Sequence, residues 1–155
     1  PDLIAGGSAL VANLPVPSNS ECEASGQPVP MQVINGSEDA INPHEGGLVT
    51  LFGDASRGQV LSSQDSARYW AGLAGQPDEP TGTERRDSDP DDGTALEIQH
   101  WAAPGRVPVQ LVTVVGGGHT FPHPVYALPR ILGTTSHEAD GAELVWDFFR
   151  ELPPR

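Results

Sequence analysis

The sequence predicts an α/β fold, and three observations carry that prediction. Compact apolar, β-prone runs close on turn signals at Asn35-Gly36 and at the three glycines 116 to 118. Residues 62 to 75 and 135 to 152 place apolar side chains at three- and four-residue spacing, the helical period. The two patterns alternate along the chain, which favours a sheet with helices packed on it. The length, 155 residues, is one domain's worth and enough for a real core.

The elements follow in order. "GGSALVANLPV" (6 to 16) reads as a short buried strand after a Gly-rich turn, and "SNSECEASGQP" as a loop. "VPMQVING" (29 to 36) is a second strand, and "SEDAINPHEGG" is a loop around Pro43. In "SSQDSARYWAGLAG" (62 to 75), Ala67, Trp70, Ala71 and Ala74 form one helical face, and Gly75 closes it. Residues 76 to 94 are acidic, Pro-rich and without core-forming side chains, so they are expected to be loop. "ALEIQHW" and "PVQLVTVV" flank "AAPGRV" as a hairpin or two neighbouring strands. The last helix is expected over 135 to 152, opened by a capping box of Thr135 and Glu138. Its apolar face is Leu144, Val145, Phe148 and Phe149, and Trp146 reads as core packing with them.

Charge and cysteine content exclude several functions. The formal net charge is −13, and phosphate backbones are bound by Lys and Arg, so neither nucleic acid nor an anionic membrane surface is an expected partner. No apolar run approaches the roughly 20 residues needed to cross a bilayer. The single cysteine, Cys22, allows no disulfide within the chain and no Cys-based zinc site; it reads as exposed. The chain starts at Pro1 without a signal-peptide pattern, as a processed chain or a fragment would.

Two loops carry candidate chemistry. "VVGGGHTFPHP" (114 to 124) delivers His119 from the end of a strand on a glycine backbone that can turn sharply and approach its neighbours. A loop at the carboxyl end of a strand leaves an imidazole free to reach a nucleophile on one side and a carboxylate on the other. "VINGSEDAINP" places Asp39 in such a loop, with Glu38 beside it as an equally acidic candidate. Acid then histidine, each after a strand, with a helix closing the chain, matches the second and third members of the Ser…Asp…His order of α/β-hydrolases. The nucleophile motif G-x-S-x-G does not occur. "GGSAL" has Leu10 where the last glycine belongs and leads into a strand, so Ser8 is assigned a structural role.

Metal chemistry finds no support. In "DSDPDDG" (87 to 93), Asp92 stands where a calcium-binding EF-hand loop needs glycine, and Ile98 where it needs glutamate. His119 and His123 are four apart, but Pro122 and Pro124 forbid the helix that would aim both at one metal.

The segments "INGSEDAINPHEGG", "ARYWAGLAG", "VVGGGHTFP" and "AELVWDFF", in that order, resemble the carboxyl-terminal half of the poly(3-hydroxybutyrate) depolymerase-like esterases, a family with feruloyl and acetylxylan esterase relatives. The resemblance spans nearly the whole chain, most strongly residues 31 to 75 and 107 to 149. It implies the carboxyl-terminal half of an α/β-hydrolase fold, a mostly parallel sheet with flanking helices, whose amino-terminal half lies outside this chain. Asp39 would be the triad acid and His119 the general base, with no cofactor. The serine and oxyanion hole would lie upstream, since "PDLIAGGSALVANLPV" is similar to the segment that follows the nucleophile helix. The implied partners are that missing half and an ester substrate: a polyester, a feruloyl ester or an acetyl ester. The implied location is extracellular or periplasmic. Phe121 stands where the family usually has tryptophan, and it is expected with Pro122 to wall the substrate site. His44 replaces a residue more often aromatic; two readings stay open for it, an acyl or alcohol contact and a solvated loop histidine. The family's cysteine after the first helix is absent here. A peptidase of the same fold, or a binding domain that has lost its nucleophile, remains compatible with the same residues. On the fragment reading, these residues alone should fold poorly, because the sheet keeps an open edge.

Overall fold

The computed structural model describes residues 3 to 152; Pro1 and Asp2, which open the amino-terminal segment compared above, lie outside the described residues. A five-stranded sheet is built from β1 (Gly7–Leu10), β2 (Met31–Gly36), β5 (Gly82–Arg86), β6 (Ala95–Trp101) and β7 (Val109–Val115). Its order is β1-β2-β7-β6-β5. A small ribbon pairs β3 (Gly47–Leu48) with β4 (Gln59–Val60). The helices are α1 (Ser63–Leu73) and α2 (Gly141–Arg150).

The arrangement is α/β, but these strands and helices do not by themselves show half of an α/β-hydrolase, and the mostly parallel sheet expected above is corrected to a mixed one. β1 and β7 run parallel to β2, whereas β6 runs antiparallel to β7, and β5 to β6. The reason is local. Seven residues join β6 to β7, too few for the crossover a parallel pair needs and enough for a hairpin.

Strand alternation sends two sets of side chains to opposite faces. Val33, Val109, Leu111 and Trp101 bury against Ala67 and Ala71 of α1 and Ala74 at its carboxyl-terminal cap. Ile34, Leu96, Ile98, Val112 and Val114 bury against Leu144 of α2, with Phe121 and Val145 at the margin. The small alanines let α1 lie close to the sheet. The interior strand β2 also buries two polar side chains, and both are satisfied. Gln32 accepts from Ser8 and donates to Gln110 Oε1 and the Leu144 carbonyl, so Ser8 serves a β1–β2 contact. Asn35 bonds the backbone of Ala12 and the side chains of Asn13 and Ser63.

Four further expectations are corrected. The first strand is shorter than residues 6 to 16 and lies at an edge, not in the core: it ends at Leu10, and Val11 turns away with φ +46°. Residues 76 to 94 are not all loop, because β5 forms within them. Its five residues are all exposed, and it exists through backbone bonding to β6, not through burial. Along it, the Arg86 guanidinium bonded to Glu84 holds that carboxyl below the usual range. The final helix starts at Gly141, capped by Asp140, whose Oδ1 accepts from Ala142 and Glu143 N–H at 2.8 and 3.3 Å. Thr135 and Glu138 make no capping box there: Thr135 Oγ1 accepts from Leu128 N–H, and the Glu138 carboxylate from the N–H groups of Ser88 and Asp89. A helix begun at Thr135 would also lose the His123 N–H bond to the Ser136 carbonyl. Finally, Trp146 is 63% exposed, because it projects from the side of α2 opposite Leu144 and Phe148. Cys22 is exposed.

Trp101, fully buried, and Trp146 therefore make contrasting variants. Trp101→Ala should cost about 3–5 kcal/mol in a urea melt, and Trp146→Ala no more than about 0.5 kcal/mol.

Candidate active site

β2 and β7 are parallel neighbours, so the loops after their carboxyl ends emerge side by side. The crossing is close: a Cβ on Gly36 would run into the carbonyl oxygens of Gly117 and Gly118. Gly116 adopts φ +71°, and a Cβ there would meet the Gly93 carbonyl. The two loops are also stitched together. Gly116 N–H donates to Ser37 Oγ at 2.9 Å, and Glu38 N–H to the Gly117 carbonyl at 2.9 Å. The glycines are therefore explained by backbone approach: they bring the histidine loop down onto the acid loop.

This brings Asp39 and His119 together. Asp39 Oδ2 accepts from His119 Nδ1 at 2.8 Å, with the Asp39 side chain fully buried and that of His119 26% exposed. Asp39 Oδ1 accepts from the N–H groups of Ile41 and Asn42, each at 2.8 Å. Three donors thus converge on one buried carboxylate, which compensates its removal from water. The His119 backbone is held as well, its N–H donating to the Leu132 carbonyl at 2.6 Å. Nε2 has no hydrogen-bond partner among the described residues, and no hydroxyl or thiol of the described chain bonds it. The arrangement can hold one tautomer, with the proton on Nδ1, and offer a basic Nε2 to an external group.

Glu38, the competing acid, is exposed and contributes its backbone instead. Sequence reasoning missed the backbone donors of Ile41 and Asn42; a loop aspartate, whose side chain can bond the backbone two residues on, was their only signal. The Asn42 side chain adds a buried Nδ2 that finds no partner among the described residues.

The other expected site residues are His44, Pro122 and Phe121. His44 bonds Glu45 through Nδ1 at 3.0 Å and Thr113 Oγ1 through Nε2 at 3.3 Å, with no bond to Asp39 or His119. Pro122 is fully buried, so it presents no wall to a ligand; its carbonyl accepts from Gly141 N–H at the start of α2. Phe121 packs on the α2-side core, its ring against Gly141. In the acidic loop, the Asp89 and Asp92 carboxylates are taken up locally by Asp91 N–H and by Thr94.

No protein-family model matches the chain, and no curated protein matches it.

Proposed function

We propose that the chain supplies the acid and the base of a Ser-Asp-His triad in a serine carboxylesterase of the α/β-hydrolase fold. The observation that carries this reading is the pair itself: a buried, fully bonded Asp39 on Nδ1 of a partly exposed His119 whose Nε2 is free. In the reaction, Nε2 takes the proton of an attacking serine and later gives it to the leaving alkoxide. Asp39 keeps the imidazole in the required tautomer and stabilises the imidazolium. The serine and the oxyanion donors belong to a preceding part of the enzyme, and each such donor contributes about 3–4 kcal/mol to the transition state. The substrate is an ester of the polyester, feruloyl or acetyl type, met outside the cell or in the periplasm; the sequence resemblance supports this choice.

The two edges of the sheet support a missing neighbour. β5 carries Glu84, Arg85 and Arg86, the kind of charge that keeps an edge from pairing, whereas residues 3 to 20, which include β1, have no charged side chain. An uncharged edge parallel to β2 is a seat for one more strand.

A second reading, a silent binding domain, draws on the absence of a nucleophile at Nε2 among the described residues. The deciding experiment treats the protein, as its source makes it, with a serine-reactive fluorophosphonate and measures intact mass and ester hydrolysis. An adduct on a serine with matching loss of hydrolysis supports the esterase. No adduct and no hydrolysis of any ester class overturns it.

A further inference from the structure

The segment from His119 to α2 is a long loop whose ends are pinned. Thr120 Oγ1 donates to the Thr134 carbonyl at 2.7 Å, and His123 N–H to the Ser136 carbonyl at 3.0 Å. Between the pins, Val125, Tyr126 and Ile131 are each more than 70% exposed, a cluster of large apolar side chains on the loop that carries the candidate base.

The tip is held by a second histidine that the mechanism does not use. His123 Nδ1 accepts from two backbone groups, Val125 N–H at 3.1 Å and Tyr126 N–H at 3.0 Å. A ring nitrogen accepts only while it carries no proton. Both donors are amides and cannot reverse role, so this geometry requires His123 neutral, with its proton on Nε2. The titratable groups that face it are Tyr126, with ring centroids 4.9 Å apart, and His137, whose Nδ1 donates to the His123 carbonyl at 2.7 Å. His137 makes that bond in its neutral and its protonated form alike. No carboxylate or guanidinium pairs with His123 among the described residues.

We propose that His123 is a proton-sensitive latch on the loop that carries His119. Protonation places a hydrogen on Nδ1 against two N–H donors, so the ring leaves them. The turn 123 to 126 opens, and the exposed apolar tip moves relative to its pinned base. The inference does not depend on what His119 acts upon.

Amide hydrogen exchange at Val125 and Tyr126, corrected for the intrinsic pH dependence, tests it in the intact protein. Between about pH 8 and about pH 5, which bracket ordinary imidazole titration, protection at both amides should fall about tenfold, as the loss of one or two hydrogen bonds requires. In His123→Asn, whose Oδ1 accepts from the same two amides without titrating, protection should stay level across that range. Equal wild-type protection at both pH values, or an equal fall in the variant, overturns the proposal. Should His123→Asn fail to fold, the wild-type imidazole nitrogen shifts decide instead. At about pH 8 they must show the proton of His123 on Nε2, and the opposite tautomer overturns the latch.

Discussion

His119→Ala should lower ester hydrolysis by about 10⁴- to 10⁶-fold, the range for removing the histidine of a serine triad. On the proposed mechanism the loss should fall on kcat, because Nε2 would act on the proton of the nucleophile and would not hold the ester in the ground state. The same variant should lose fast labelling by a fluorophosphonate, since the serine is then no longer activated. Stability should fall as well, by about 1–3 kcal/mol or more, because the buried Asp39 Oδ2 loses its donor, while the backbone N–H bond to Leu132 stays in place. A variant that hydrolysed esters at near-normal rate while remaining folded would remove His119 from the mechanism.

Asp39→Asn should cost on the order of 10⁴-fold in turnover, and the geometry gives the reason. Two backbone N–H groups fix an oxygen at the Oδ1 position. The asparagine must therefore turn its single oxygen toward them and its NH₂ toward His119. The ring then accepts at Nδ1 and carries its proton on Nε2, the nitrogen that must be free to take one. Asp39→Ala should be worse for folding, because it leaves two backbone donors without an acceptor, at about 1–3 kcal/mol for the buried one at Asn42. Glu38→Gln should leave turnover within about twofold, since that carboxylate is exposed and the residue holds its place through its backbone. Initial-rate measurements on the three variants, with urea melts alongside, separate the catalytic loss from the structural one. A loss confined to Glu38→Gln would move the acid one residue back.

Legibility in the sequence tracked whether a residue's neighbours in the chain decide its state. β2, α1 and the β6–β7 hairpin carry their burial pattern in their own residues, and they lie where the spacing placed them. β5 does not: Gly82–Arg86 has no apolar side chain, and only hydrogen bonding to β6 makes it a strand. The start of α2 misled because Thr135 and Glu138 have the right spacing for a cap but are drawn off, Thr135 by Leu128 earlier in the same loop and Glu138 by Ser88 and Asp89, distant in sequence. In the site, the sequence proposed His119 and two acids. Burial and geometry then separated Asp39 from Glu38, which composition alone could not. His44 and Pro122 look like site residues by position in the chain, yet one ring is engaged at Thr113 and the other is packed away.

The pairing of Asp39 with His119 spans 80 residues of sequence. Neither loop is placed until β2 and β7 lie side by side, and the chain between them holds α1, β5 and β6. Parallel pairing across so long an interval carries a loop-closure cost before it returns any contact, which slows folding relative to local structure. The candidate site should therefore be among the last features to form when the chain folds. Anything that detaches the β6–β7 hairpin from β2 should separate acid from base while leaving α1 and β2 associated. Formation of the Asp39–His119 pair would then report on completion of the sheet: refolding followed by the His119 imidazole signal should lag behind refolding followed by helix signal.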